Sequence, residues 1–336
     1  MTIVLLWLVL AAMAAVIVFT SRFLASSADV IAVKTGLGKS FVGVVMLATA
    51  TSLPELGTGV SSILMVDQID LAAGDAFGSN IFNLLIIGVI DMVWRNGPLL
   101  TVVGSTSIMI GALGIAVIAT SVIAMLVHSQ TQWAADWPVS PMSFVLLLVF
   151  VAGMYMIYKN EDSSQGHVAT GTVKYEDANL TRAFMTYSLA ALVIVAAAVV
   201  LANVGDRITD ALGWEASFMG TQFLALSTSL PELATAYAAI KLGAPELAIA
   251  NVLGSNLFNM GIVLFVDDIV YVEAPLWVGV ADIHLLTAVL AIVMTTVVII
   301  GLVVRPRRRL HKLFTYEALV LVALYIVTSV LVFSLG

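Results

Sequence analysis

Two short blocks of the sequence concentrate residue types that can bind a cation. Residues 50–56 read Ala-Thr-Ser-Leu-Pro-Glu-Leu, and residues 227–233 read Ser-Thr-Ser-Leu-Pro-Glu-Leu. A proline inside a helix cannot donate a hydrogen bond to the carbonyl four residues earlier, so each block frees a backbone oxygen beside two hydroxyls and a carboxylate. Hard cations such as Ca²⁺ and Na⁺ accept such oxygens, whereas zinc and copper favour sulfur or imidazole. The blocks predict a cation site built from Thr51, Ser52, Glu55, Thr228, Ser229 and Glu232.

A second pair of blocks adds polar side chains at helical spacing. Residues 78–83 read Gly-Ser-Asn-Ile-Phe-Asn, and residues 254–259 read Gly-Ser-Asn-Leu-Phe-Asn. Within each block the serine and the last asparagine are four residues apart and share one helix face. We therefore expect further oxygen ligands from Ser79, Asn83, Ser255 and Asn259. Asn80 and Asn256 point off that face, and we expect them only to pack between helices.

Asp75 lies one further turn along the face that carries Ser79 and Asn83, where the second copy has Asn251. It falls toward the outer end of its apolar stretch. We therefore expect a solvated residue at the mouth of the site rather than a ligand. If Asp75 reached the site, it would add a third acid to the two glutamates.

Composition indicates that these blocks are embedded in a membrane. Hydrophobic residues make up 61% of the 336 positions and charged residues only 10%, against about 25% charged in soluble domains. Apolar stretches long enough to cross ~30 Å of hydrocarbon recur along the whole chain. The sequence predicts an all-α membrane protein of about ten transmembrane helices, at roughly 2–20, 40–65, 71–92, 99–126, 142–158, 184–204, 214–240, 245–266, 284–304 and 314–335.

An internal duplication relates two halves of the chain. Glu55 and Glu232 are 177 positions apart, and Gly78 and Gly254 are 176 positions apart. We divide the chain into a first five-helix repeat at 1–158, a linker at 159–182 and a second five-helix repeat at 183–336. Because five spans is an odd number, the second repeat must cross the bilayer in the opposite sense. In transporters with inverted repeats, substrate sites lie near the midplane where broken helices from both halves meet.

Two glutamates at equivalent positions strengthen the interpretation as an ion site. A carboxylate near the bilayer centre costs at least ~2.5 kcal/mol, and a bound cation would compensate that cost. The alternative is a pair of kinked helices whose hydroxyls only satisfy their own backbone. A single Thr-Ser-x-Pro block would fit that alternative, but two blocks that each carry a glutamate favour the ion site.

The distribution of basic residues predicts the orientation of the chain. Thirteen of the 14 Lys and Arg residues fall in loops on one side of the predicted spans, and only Arg207 falls on the other. By the positive-inside rule the first side is cytoplasmic. This places the 159–182 linker in the cytoplasm and both termini outside, in a multi-pass protein of the cell membrane. The linker acids lack the spacing of an EF-hand loop, so we expect a flexible, solvated segment there.

At these residues the sequence resembles the cation/calcium antiporter superfamily, specifically its prokaryotic sodium/calcium exchanger branch. The resemblance covers nearly the whole chain and rests on the paired Thr-Ser-Leu-Pro-Glu and Gly-Ser-Asn blocks. It implies a secondary antiporter that exchanges Ca²⁺ for Na⁺ by alternating access, with four central sites and with Glu55 and Glu232 shared between the two ions. The threonine and serine hydroxyls of the blocks would contribute oxygens, together with the backbone carbonyls of Ala48 and Ala225.

Departures from the family pattern bear on the counter-ion. Sodium/calcium exchangers usually carry an aspartate where this chain has Asn259, and Asp75 replaces an asparagine that is common in the first block. Glu55 and Glu232 alone supply two negative charges, which one Ca²⁺, two Na⁺ or two H⁺ would neutralise. Ca²⁺/H⁺ exchange, which in the same superfamily runs on two central glutamates, is therefore the alternative within the transporter class.

Other classes of function are less compatible with the sequence. A cation channel shares the ligand chemistry but does not need inverted, proline-broken repeats. The chain has no Gly-x-Ser-x-Gly, no His-Glu-x-x-His, no P-loop and no cysteine, so we do not expect an enzyme. We expect no cofactor, and Ca²⁺ and Na⁺, or alternatively H⁺, as transported ions. Apart from these cations we expect the lipid bilayer as a partner, with no nucleic acid and no obligatory protein partner.

Overall fold

The chain folds into apolar helices joined by short connections. The computed structural model describes residues 2–35, 47–131, 133–162, 178–305, 309–310 and 314–335. In the first half the helices are α1 (Ile3–Thr35), α2 (Leu53–Val66), α3 (Ile69–Val93), α4 (Ser105–Gln130) and α5 (Pro141–Asp162). In the second half they are α6 (Leu180–Leu212), α7 (Ala216–Thr228 and Leu230–Lys241), α8 (Pro245–Val270), α9 (Ile283–Val304) and α10 (Tyr316–Leu335).

Most of these helices are long and apolar enough to cross a membrane. Within the described residues eight helices meet that criterion, and the two segments of α7 together make a ninth span that is bent by 41°. The predicted span at 40–65 is described only from residue 47, as helical residues 47–51 followed by the 14-residue helix α2. The predicted all-α membrane fold is therefore confirmed. The span predicted at 99–126 begins later, at Ser105, because residues 99–101 form a separate 3-10 turn.

Helices α3 and α8 form the centre of the protein. In the most apolar 18-residue stretch of each of these helices, 78% is buried inside the protein. The corresponding share in the other unbroken spans is 22–44%. Around this centre α3 packs against α7, α8, α9 and α10, while α8 packs against α3, α4 and the second segment of α7. A Cβ at Gly78 would lie only 2.5 Å from the Cα of Thr221, so α3 and α7 touch through their backbones.

Polar contacts between helix ends and loops mark two opposite faces of the bundle. On the first, which we name the Asp70 face, Asp70 Oδ1 accepts a hydrogen bond from the Ala281 amide at 2.8 Å, and Asp268 Oδ2 accepts one from the Ser140 amide at 2.8 Å. On the second, which we name the Arg309 face, Arg309 Nη2 donates to the Gly97 carbonyl at 2.7 Å. The orientation predicted from the basic residues would make the Asp70 face extracellular.

The two halves share a structural acid at the end of their central helices. Asp91 Oδ1 accepts a hydrogen bond from the Leu99 amide at 2.7 Å, and Asp268 Oδ1 accepts one from the Leu276 amide at 2.6 Å. Asp268 and Leu276 each stand 177 positions after their counterparts Asp91 and Leu99. The serines of the two Gly-Ser-Asn blocks, by contrast, are 176 positions apart. Between the Gly-Ser-Asn block and Asp268, helix α8 contains a π-helical turn at residues 259–263. The corresponding turn of α3 is α-helical. A π turn holds one extra residue, which accounts for the change of offset.

Candidate ion-binding site

Each Thr-Ser-Leu-Pro-Glu block forms a helix break of the same shape. Ser52 has φ −92° and ψ 9°, and Ser229 has φ −88° and ψ 3°, so both serines leave the α region at the same point. The prolines follow within the first turn of the next helical segment, where a missing amide proton costs little. The repeated sequence thus produces two equivalent breaks, as the blocks predicted.

The breaks place both glutamates at the start of a helical segment inside the protein. Glu55 lies in the first turn of α2 and Glu232 in the first turn of the second segment of α7, and both are fully buried. The amides of a first helical turn carry a partial positive charge that partly offsets a carboxylate. The glutamates are therefore held in place without a lysine or arginine ion pair among the described residues.

The glutamates are paired with hydroxyls of the opposite half of the chain. Ser229 Oγ donates to Glu55 Oε1 at 3.1 Å, and Ser52 Oγ donates to Glu232 Oε1 at 3.4 Å. This reciprocal pairing brings the two breaks together at the centre of the bundle. Each carboxylate keeps a second oxygen, Oε2, with no hydrogen-bond partner in the part of the chain that the structure describes.

The threonines of the breaks meet the serines of the central helices. Thr51 Oγ1 is paired with Ser255 Oγ at 3.2 Å, and Thr228 Oγ1 is paired with Ser79 Oγ at 3.4 Å. Each threonine hydroxyl also contacts a backbone carbonyl of the turn before the break, that of Ala48 or Ala225, at 3.3 Å. Both alanines are buried. The structure therefore gathers the hydroxyls and carbonyls that sequence analysis singled out.

The asparagines at the two symmetric positions are fully buried but differ in their partners. Asn83 Nδ2 donates to Asn256 Oδ1 at 2.9 Å, and Asn256 Nδ2 donates to the Asn80 carbonyl at 3.1 Å. This arrangement leaves Asn83 Oδ1 without a donor, and neither side-chain atom of Asn259 has a partner among the described residues. Asn256 thus has the packing role that we predicted for it, and it also orients Asn83.

Unpaired oxygens at this centre are suited to a cation. A buried polar atom without a partner costs about 1–3 kcal/mol, and a buried carboxylate costs more. No group of three or more His, Asp or Glu side chains is arranged to hold a metal within the described residues. A bound ion would therefore rely on the mixed set of carboxylate, hydroxyl, amide and carbonyl oxygens, which is the ligand chemistry of Ca²⁺ and Na⁺.

Asp75 belongs to this centre and not to a solvated mouth, so our expectation for it was wrong. Its side chain is fully buried, Oδ1 accepts a hydrogen bond from Thr228 Oγ1 at 2.9 Å, and Oδ2 accepts one from Thr58 Oγ1. The covering threonines come from two other helices, which a reading along α3 alone does not reveal. The signal for its role was its place on the face that carries Ser79, one turn away.

The second half carries the same contact without the charge. Asn251 Nδ2 donates to Thr235 Oγ1 at 3.0 Å, and these residues stand 176 and 177 positions after Asp75 and Thr58. The symmetric contact therefore needs only a neutral side chain. The carboxylate of Asp75 adds a third acid to one side of an otherwise symmetric centre.

Comparison with known proteins gives the family of this chain. The family model described as sodium/calcium exchanger protein matches residues 5–159 and 183–334. The inner membrane protein YrbG of Escherichia coli K12 is 27% identical over 267 residues, which cover 74% of each chain. The sodium/calcium exchanger MaX1 of Methanosarcina acetivorans is 23% identical over 285 residues, which cover 75% of this chain and 79% of the relative.

The fold also matches a solved structure over its whole length. The sodium–calcium exchanger NCX_Mj superposes with a TM-score of 0.62 at 18% sequence identity, and the match covers 100% of both chains. At that identity the match supports the fold alone.

Proposed function

We propose that this chain, which belongs to the sodium/calcium exchanger protein family, exchanges Ca²⁺ for Na⁺ across a membrane by alternating access. The observation that carries the proposal is the reciprocal pairing of Glu55 with Ser229 and of Glu232 with Ser52. A cation that engages both free glutamate oxygens would link the two halves of the chain. Rocking of the halves about such a central site is the movement by which secondary transporters expose one site alternately to two sides.

The proposed ligands are the residues that line the two breaks and the faces of α3 and α8 toward them. Carboxylates would supply charge, and hydroxyl, amide and carbonyl oxygens would complete the coordination shell. The set consists of Glu55, Glu232, Thr51, Ser52, Thr228, Ser229, Ser79, Ser255, Asn83, Asn259 and the carbonyls of Ala48 and Ala225. In this proposal the protein only moves ions and performs no covalent chemistry.

The charge at the centre supports Na⁺ as the counter-ion. Because Asp75 is buried beside Thr228, the formal charge of the ionised centre is −3 and not the −2 of the glutamates alone. Three Na⁺ would neutralise that charge, whereas one Ca²⁺ would leave −1. In this proposal Asp75 of the first half supplies the negative charge that an aspartate at position 259 would supply. Exchange of three Na⁺ for one Ca²⁺ would then move one net charge per cycle.

Transport into proteoliposomes tests the counter-ion directly. We expect ⁴⁵Ca²⁺ uptake when Na⁺ is loaded inside, and little uptake with equivalent K⁺ or H⁺ gradients. Uptake driven by a H⁺ gradient alone would establish the Ca²⁺/H⁺ alternative. Entry of Ca²⁺ without any opposing ion gradient would identify a channel.

Glutamine substitutions test the site itself. Glu55→Gln and Glu232→Gln should each abolish Ca²⁺ uptake while the protein remains folded, because each removes a central charge but keeps the side-chain shape. Glu246→Gln is the matched control, since Glu246 is an exposed residue in the first turn of α8. Near-normal Ca²⁺ flux in either central variant would refute the proposed site.

A further inference from the structure

Asp267 is a buried acid that the central site does not use. It lies in α8, three residues before the helix ends at Val270 on the Asp70 face. Its side chain is fully buried, and neither carboxylate oxygen has a hydrogen-bond partner among the described residues. It therefore differs from its neighbour Asp268, whose oxygens accept two backbone hydrogen bonds.

The other half of the chain shows that the fold does not need an acid at this position. The residue 177 positions before Asp267 is Ile90, a buried member of the main hydrophobic core. Asp267 packs against Gly59, where a Cβ would lie 2.6 Å from Oδ1, and the residue 177 positions after Gly59 is the buried Ala236. Each pair spans both halves: Asp267 of the second half faces Gly59 of the first, whereas the symmetry-related positions carry Ile90 in the first half and Ala236 in the second. The glycine provides the room that the carboxylate occupies.

The charges that act on Asp267 are those of two other acids. Asp75 and Asp268 both lie close enough to repel its negative form, and Asp268 in turn interacts with His128. The end of α8 packs against α2, α3, α5 and the short helix at residues 276–279. Among these, α2 presents Gly59 and carries Glu55 one turn earlier, α3 carries Asp75, the short helix has no charged residue, and Lys159 lies near the opposite end of α5. A carboxylate in these surroundings has a large cost as an anion.

We propose that Asp267 is a proton-binding site between the central acids and the Asp70 face. A hard metal ion would need about six or more oxygen ligands, and the carboxylate of Asp267 supplies only two. A proton needs a single carboxylate oxygen. When the acid forms, one carboxylate oxygen gains an O–H bond, and a hydronium ion of the aqueous solution loses one and becomes water. Asp75 connects this site to the centre, because Thr58 of the same helix turn as Gly59 donates to Asp75.

The consequence for ion binding rests on the proposed function. When Asp267 is ionised, its charge adds to that of Asp75 and strengthens cation binding; when it is protonated, that contribution is lost. At an effective dielectric near 20, a unit charge at a distance on the order of 10 Å changes the binding constant of a monovalent cation by about tenfold, and that of Ca²⁺ by on the order of a hundredfold. We therefore expect Ca²⁺ binding to weaken by at least about tenfold, and by up to about a hundredfold, as the pH falls through the titration of Asp267.

Infrared difference spectroscopy of the purified protein tests the proton site without any transport assay. Between acid and alkaline pH, the wild type should show the carbonyl band of a protonated carboxylic acid appearing as Asp267 takes up its proton. The band should be lost in Asp267→Asn and kept in Glu273→Gln, because Glu273 is an exposed acid on the same face. A titrating carboxyl band that is unchanged in Asp267→Asn would overturn the proposal.

The repeat itself supplies a second variant in case Asp267→Asn fails to fold. The double variant Gly59→Ala with Asp267→Ile places at these two positions the residues of the symmetry-related positions, Ala236 and Ile90. We expect it to fold, to lack the same infrared band and to bind Ca²⁺ with a flatter pH profile than the wild type. Loss of the band with an unchanged pH profile would refute the coupling to the centre. A protein that binds no Ca²⁺ at any pH would refute the proposed function but would leave the infrared result standing.

Discussion

Replacing Asp75 with asparagine removes one charge from the centre and changes little else. The second half already carries asparagine at the equivalent position, where Asn251 Nδ2 donates to Thr235 Oγ1 at 3.0 Å. The asparagine in Asp75→Asn can make the same contact with Thr58. We therefore expect a stably folded protein in which the formal charge of the centre changes from −3 to −2.

The expected effect on ion binding follows from the position of Asp75. Thr228 Oγ1 lies 2.9 Å from Asp75 Oδ1, so a cation held by that hydroxyl at ~2.4 Å would lie within about 5 Å of the carboxylate. At an effective dielectric near 20, a unit charge at ~5 Å contributes about 3 kcal/mol to binding of a monovalent ion and about twice that for Ca²⁺. The cost of burying the carboxylate offsets part of this gain, so we expect at least about a tenfold loss of Na⁺ affinity, or ~1.4 kcal/mol.

The loss should affect the third Na⁺ most, because two glutamates still neutralise one Ca²⁺ or two Na⁺. We expect Asp75→Asn to need at least about tenfold more Na⁺ to displace bound Ca²⁺, with a less steep dependence on Na⁺. Exchange should also lose its response to membrane potential, since two Na⁺ and one Ca²⁺ carry equal charge. Calcium-binding competition in detergent and ⁴⁵Ca²⁺ uptake at imposed potentials measure these two effects. Unchanged Na⁺ competition together with unchanged voltage dependence would refute the assignment of Asp75 to the centre.

Three further changes test the capping of α3, the topology and the coupling ion. Arg309→Ala should lower the melting temperature, because the two N–H groups of Arg309 Nη2 are shared among the carbonyls of Asp91, Trp94 and Gly97 at and just beyond the end of α3, and a hydrogen bond from a charged group contributes about 1.5–3 kcal/mol; no loss of stability would exclude this role. In this cysteine-free chain an impermeant thiol reagent should label a cysteine at position 131 but not at position 170 in intact cells, and the reverse result would invert the topology. Asn259→Asp should tighten cation binding and make Ca²⁺ uptake more dependent on pH, and an unchanged ion dependence and pH profile would show that position 259 does not govern coupling.

The centre of the site was predictable because its signals are local and occur twice. Proline, two hydroxyls and a glutamate within five residues determine the break and bring together the side chains that we propose as ligands, and the second copy separates this pattern from an ordinary kink. The partners of each side chain were not predictable in the same way. Whether Ser229 reaches Glu55 or its own Glu232 depends on how the two halves pack, and the sequence contains no distance between them.

The surroundings of the centre escaped prediction for a related physical reason. The sequence shows that Asp75 lies near the end of its helix, and we therefore predicted a solvated side chain. The sequence does not show that threonines of α2 and α7 cover it. Asp267 stood next to Asp268 near a span boundary, where acids are commonly solvated. The π turn at residues 259–263 shifts the register of the repeat by one residue, so Asp267 aligns with Ile90 only once that turn is known.

Two buried acids that break the symmetry of the repeat lie on the same side of the centre. Asp75 and Asp267 are displaced toward the Asp70 face, and the equivalent residues toward the Arg309 face are the neutral Asn251 and Ile90. The two reciprocal glutamate–serine pairs are equivalent with respect to the Asp70 face and the Arg309 face. The two conformations of an exchanger, open to one face or to the other, can therefore be nearly equal in energy. A cation that approaches from the Asp70 face meets two acids before the glutamates, whereas one from the Arg309 face meets none of these. The same central site should therefore bind cations more tightly when it is open to the Asp70 face, and the difference should shrink when either acid is made neutral.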